Sequence, residues 1–180
     1  MDRIVLGSGR LFVLVYTGTI PADDVIETAG NLLGAIKGGA TLEYSVTGYD
    51  AIDDSGERSK HVITDETAVL KSGVMTWNGK TLEKLSATAR VSETAGRRTV
   101  KIGGIRNQNG KKYLVRFLHE DEEDGDCRVT IIGTNQAGLS IAFVKGTETV
   151  INAEFKAMPD SDGTLIIYDE AILPLPEETP

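Results

Sequence analysis

The sequence predicts a mainly β fold, a β-sandwich or barrel core with one flanking α-helix. Three observations carry this reading. Leu42, Tyr44 and Val46 alternate with Thr41, Glu43, Ser45 and Thr47, the period-two pattern of a strand buried on one side only. From Thr99 onward, short β-rich runs recur at regular spacing, separated by the turn formers IRNQNG, NQAG, KGTE and PDSDG. Only one stretch, after Asn78, repeats its apolar residues at helical spacing.

Taken in order, residues 1–20 read as an N-terminal arm or strand. The apolar runs Met1–Leu6 and Arg10–Tyr16 are joined there by Gly7, Ser8 and Gly9. After Pro21, the segment Ala22–Gly34 reads as a loop, because Gly30 and Gly34 weaken a helix. A loop of that length fits better against another subunit than inside a compact monomer. Residues 38–70 form a long hairpin that turns at Asp53, Asp54, Ser55 and Gly56. Its return strand, Lys60–Leu70, alternates poorly, so only the first strand has a fixed facing. An isolated ribbon of this length is marginal in water, so the rest of the chain or a neighbouring copy must complete it.

A helix over about 79–89 comes next. Asn78 caps it, Leu82, Leu85 and Ala89 share one face, and Glu83 and Lys84 take the other. Met75 and Trp77 are placed to anchor its start against the sheet. Thr99–Ile105 and Lys112–His119 flank Asn109-Gly110, a strong hairpin signal. Strands are then expected at Asp126–Gly133, Leu139–Val144, Thr149–Ala157 and Thr164–Tyr168. Residues 21–172 thus read as a single domain, and the tail 173–180, LPLPEETP, as an exposed arm.

Composition narrows the function. The chain has 180 residues, 40% of them hydrophobic, enough to build a core. A net charge of −8 argues against a generic binder of nucleic acid or anionic membrane, which needs basic residues to displace counterions. The lone Cys127 permits no intrachain disulfide and reads as a small buried hydrophobe. No run approaches the roughly 20 apolar residues that span a bilayer, and no signal-like segment opens the chain. A soluble protein assembled in the cytoplasm is expected.

No motif for catalysis stands out, and neither a cofactor nor a metal is expected. Gly73–Thr81, GVMTWNGKT, imitates a phosphate-binding loop, but one residue too many separates Gly73 from Gly79, and Met75 and Trp77 are bulky. The acidic run His119–Asp126 lacks the ligand spacing of a calcium loop and reads as a solvated hairpin turn. His61 and His119, the only histidines, read as surface residues, which leaves little for acid-base chemistry. The basic residues Arg97, Arg98, Lys101, Arg106, Lys111, Lys112 and Arg116 gather in the central hairpin, whereas acids crowd Glu120–Asp126 and the C-terminus. Such separation either lets copies pair head to tail or reflects ordinary solvated charge.

Four stretches, GGATLEYSVTGYDAIDDSGE, SGVMTWNGKTLEKL, RRTVKIGGIRNQNGKKYLVRFLHE and ETVINAEFKAMPDSDGTLIIYDE, resemble the tail tube (major tail) proteins of tailed bacteriophages. The resemblance covers most of Gly34–Glu170 and rests on overall pattern. It implies a structural, non-enzymatic subunit that self-assembles into hexameric rings stacked as a hollow tube. The long hairpin would contribute to an inter-subunit β-barrel through which DNA passes during ejection, without specific binding. Further implied partners are the tape measure, tail terminator and distal tail proteins, with no membrane involved. The location implied is the virion tail, assembled in the host cytoplasm.

On that reading Thr41, Glu43, Ser45 and Thr47 face the lumen. A ring of six copies carries 6 × (−8) = −48 charges, and acid in the bore repels the duplex. The competing reading is a monomeric β-sandwich module that binds carbohydrate or a host surface. It is disfavoured by 6% aromatics and a single Trp77.

Overall fold

A computed structural model describes residues 7–172, apart from 58, 124 and 137. The run Met1–Leu6, expected as part of an arm or strand, and the tail 173–180, expected as an exposed arm, lie outside the described residues. In chain order the elements are β1 (Arg10–Val15), α1 (Asp23–Ile26), β2 (Leu32–Gly34), β3 (Ile36–Ile52), β4 (Ser59–Val74) and α2 (Gly79–Leu85). There follow β5 (Arg90–Thr94), β6 (Arg97–Lys101), a 3-10 turn at Ile105–Asn107, β7 (Tyr113–His119), β8 (Cys127–Asn135), β9 (Ile151–Ala157) and β10 (Ile167–Glu170).

Eight strands form one antiparallel sheet in the order β2, β1, β7, β8, β9, β4, β3, with β10 beside β8; β5 and β6 make a separate ribbon. The two ends of that order, β2 and β3, are separated only by Ala35. One stretch of chain therefore bonds β1 at its start and β4 further on, which closes the sheet into a barrel. At the joint, the Ala35 carbonyl accepts the Met75 N–H at 2.7 Å, and the Ala35 N–H donates to Thr76 Oγ1 at 2.7 Å. Gly34 is needed for this approach. Its φ is 154°, and a Cβ there would meet the Thr76 carbonyl oxygen at 1.9 Å.

Alternation along the strands builds the interior. Leu11 and Val13 of β1, Leu70 and Val74 of β4, Tyr113 and Val115 of β7, and Ile151 and Phe155 of β9 fill the barrel. α2 covers it with Leu82 and Leu85. The outer faces of β1 and β7 are buried as well, because Phe12, Leu114 and Leu118 pack against Ile26 of α1. Arg116 projects to that outer side at 3% exposure. It donates to Thr130 Oγ1 at 2.5 Å, Asp23 at 2.6 Å and Glu27 at 3.1 Å. Arg128 donates to Glu27 at 2.7 Å, so two guanidinium groups clamp α1 to the sheet. Cys127 is buried, as the sequence indicates.

The mainly β fold with a barrel core and a flanking helix is as expected, but several local expectations change. Residues 22–34 are not a loop left for another subunit: they hold α1 and β2, and Ile26 is fully buried against this chain's own sheet. Of the arm or strand expected over residues 1–20, Arg10–Val15 is a strand, and an internal one, paired on both edges. The helix stops at Leu85, whose carbonyl is taken by the Asn135 amide at 2.7 Å; Ser86 is extended, and Ala89 is buried beyond the helix. β6 pairs with β5 across the Gly96 turn and not with β7, so Asn109-Gly110 only bends a connection. Leu139–Val144 forms no strand. Leu139 and Ile141 lie on the core without a hydrogen-bond ladder, and the segment holds a single bridge, Val144 to Thr147. His119 is buried rather than on the surface, with Nδ1 2.7 Å from the Ser8 carbonyl oxygen.

Candidate functional site: a projecting two-stranded ribbon

The hairpin of β3 and β4 outgrows the barrel. Near the barrel, Leu42 pairs with Leu70 and Tyr44 with Ala68, and Ala68 and Leu70 are buried. Beyond that level every described side chain from Glu43 to Glu66 is exposed. β9 pairs only with Val69–Val74 of β4, and β3 has no second neighbour beyond the barrel joint. Among the described residues, the outer half of the ribbon thus presents two bare faces and two free edges.

The faces differ. Cross-strand partners share a face, so Thr41, Glu43, Ser45 and Thr47 stand with Lys71, Val69, Thr67 and Asp65 on the side away from the barrel interior. All four predicted residues are exposed on this one polar face. Glu43 accepts from Lys71 Nζ at 2.7 Å, and that bond raises the lysine pKa. The opposite face continues the barrel's inner surface out into solvent. It carries Tyr44, Val46, Ile52 and Ile63, each at least half exposed, together with Glu66 and the Asp50–His61 pair, whereas Tyr49 and Val62 continue the first face towards the tip. Tyr44 donates its hydroxyl to Glu66 at 2.5 Å, which raises the phenol pKa.

The ribbon's register explains why its second strand alternates poorly in sequence. Thr47 pairs with Asp65 but Gly48 pairs with Ile63, so Thr64 is an extra residue bulged out of β4. Its hydroxyl donates to the Thr47 carbonyl at 3.1 Å. The bulge inverts the parity of β4 beyond it, which moves Ile63 to the apolar side. Near the tip, His61 Nδ1 and Asp50 Oδ1 lie 2.6 Å apart. A second irregularity marks the base. Gly38 and Gly39, at φ 80° and 72°, are looped out between Lys37 and Ala40. They rim a cleft of about 310 Å³ with Lys71, Ser72 and Glu154. Its lysines are occupied, Lys37 by Glu148 and Lys71 by Glu43.

Chemistry elsewhere is sparse. Among the described residues no three His, Cys, Asp or Glu side chains gather as metal ligands, and no helix is long and apolar enough to cross a membrane. Register sets His119 opposite Cys127, but the imidazole is committed at Nδ1 to Ser8, and Nε2 has no hydrogen-bond partner. Gly73–Thr81 runs from the end of β4 into α2 with Asn78 capping Lys80 and Thr81, so the lysine of the pseudo-motif is a helix-start residue. Burial lowers the pKa of Lys84, which donates to the Val13 carbonyl at 2.6 Å. What sequence reasoning missed is the extent of the apolar strip. Ile63 sits in the poorly alternating return strand, and only the bulge places it on the side of Val46 and Ile52.

No protein-family model matches the chain, and no curated protein matches it.

Proposed function

We propose that the chain is a structural subunit of a bacteriophage tail tube, without enzymatic activity, that self-assembles into hexameric rings stacked around a DNA-conducting lumen. The observation that carries this reading is the ribbon: an outer half bare on both faces and both edges, with Tyr44, Val46, Ile52 and Ile63 in water. A two-stranded ribbon of this kind is marginal alone, and bare strand edges are a liability that closure into a shared barrel removes. Neighbouring copies supply both what the edges lack and what the apolar face lacks. The ring's bore is then lined by Thr41, Glu43, Ser45 and Thr47, a polar face on which Glu43 occupies Lys71 and Asp65 adds a second acid, across which phosphate passes without being held. The subunit works in the virion tail, assembled in the host cytoplasm with the tape measure, terminator and distal tail proteins as neighbours.

The test is the assembly state of the purified protein as its concentration rises, by sedimentation and negative-stain imaging. Rings or tubes are the expected product. Monomers at every concentration would overturn the proposal and favour a solitary β-barrel binding module.

A further inference from the structure

The β5–β6 ribbon carries charge that the barrel does not use. Its pairing places Val91, Glu93, Arg98 and Val100 on one face, and that face looks onto α2: a Cβ on Gly79 would meet Arg98 Cδ at 2.6 Å and Val100 Cγ2 at 2.8 Å. On this side Arg98 is matched by Glu93 at 2.8 Å. The outward face holds Arg90, Ser92, Thr94, Arg97, Thr99 and Lys101, all exposed: three bases, three hydroxyls and no acid. Among the described residues no carboxylate pairs with Arg90, Arg97 or Lys101. In a chain of net charge −8 such a face needs explaining.

The complement lies at the other end of the β7–β8 hairpin. The end of α2 and the segment leading from it into the β5–β6 ribbon are tied to the Tyr113–Asn135 end, through Asn135 Nδ2 to the Leu85 carbonyl and Asn109 N to the Ala87 carbonyl. The acidic turn joins His119 to Cys127 at the opposite end, and its Glu122 and Glu123 are exposed without an ion pair among the described residues. Seven residues of strand at about 3.3 Å each hold those two ends about 20 Å apart. The unmatched basic face and the unmatched acids are therefore borne at opposite ends of one rigid hairpin.

We infer that the outward face of the β5–β6 ribbon docks on the acidic β7–β8 turn of a second copy of this chain, head to tail. A contact between two different patches repeats without limit unless it closes, so it propagates copies in one direction. Resting on the tail tube reading, it is the joint between successive rings, whereas the β3–β4 ribbon joins subunits within a ring. The overall acidity of the chain and the matching acids on its own surface favour a second copy over nucleic acid.

Two charge-reversed proteins test this by sedimentation velocity and imaging: R90E/R97E/K101E and E122K/E123K. All five positions are exposed, so both variants keep the parent's melting temperature. Each variant alone should associate roughly tenfold or more weakly than the parent, leaving rings that do not stack, and high salt should weaken the parent likewise. An equimolar mixture should recover stacking, because each reversed patch meets its complement on the other protein. Tubes of parental length from both variants, or a mixture that stays unstacked, would overturn the inference while leaving the ring proposal standing. Charge-dependent chains of parent molecules without rings would uphold the contact and sink the tube reading. A ribbon variant that stacks normally but loses binding to random-sequence duplex DNA would assign the basic face to phosphate instead.

Discussion

Replacing Val46 and Ile63 together by aspartate separates assembly from folding. Both lie on the apolar face of the β3–β4 ribbon, at 50% and 54% exposure, on either side of the Thr64 bulge. Burying a Val or Ile side chain completely contributes roughly 1.5–3 kcal/mol. About half of each is already out of water, so covering the pair adds about 1.5–3 kcal/mol per subunit, roughly a tenfold to hundredfold change in association. Aspartate also brings two charges that a neighbour cannot match, which deepens the loss. The monomer loses little, since neither residue belongs to its core. The assay pairs thermal melting with sedimentation velocity over a concentration series. An unchanged melting temperature with association shifted at least tenfold is expected. Parental association would refute the assignment of this face to a neighbouring copy, and a large fall in melting temperature would show that these side chains serve the subunit's own fold.

Arg116→Met should cost about 3 kcal/mol in urea unfolding, because Thr130 loses its buried donor and the acids of α1 lose one of two guanidinium partners; a loss under about 1 kcal/mol would contradict the clamp. Gly34→Ala should destabilise by about 3 kcal/mol or more, since its Cβ would meet the Thr76 carbonyl oxygen, whereas Gly30→Ala, in open space, serves as the tolerated control. If both behave alike, the barrel does not close at Ala35. The hydrogen bond from Arg98 holds the Glu93 carboxyl below its usual range. Its support for the β5–β6 ribbon is therefore present above the ordinary carboxylate pKa and lost as pH falls through the lowered folded value. Amide protection in β5 and β6, corrected for intrinsic exchange, should drop on acidification and become insensitive in Glu93→Gln; equal acid sensitivity in both proteins would contradict this.

How much was legible in the sequence follows from which interactions are local. The ribbon was readable because alternation and a turn signal specify a hairpin without reference to the rest of the chain, and Asn78 was readable as a cap because its partners are Lys80 and Thr81. Pairing between distant strands was not. Asn109-Gly110 has the chemistry of a hairpin turn, yet β6 finds β5 first, and the turn is spent on bending a connection. Leu139–Val144 has strand-like residues but covers the barrel without a ladder, since apolar content and burial do not by themselves choose a hydrogen-bond partner. Residues 22–34 looked unsupported only because their supports, Arg116 and Arg128, come from about a hundred residues away. For the four predicted lumen residues, the shared face was readable from parity alone. The apolar counter-face was readable only in part, because one inserted residue, Thr64, resets the parity of β4.

The most direct measurement is an electron cryomicroscopy reconstruction of the assembled protein at side-chain resolution, read at β3. The expected result is a continuous inner barrel made of β3–β4 ribbons from neighbouring subunits, with Thr41, Glu43, Ser45 and Thr47 pointing into the bore and Tyr44 and Val46 covered by adjacent copies. Ribbons on the outside of the assembly, or a bore lined by Leu42, Tyr44 and Val46, would contradict it.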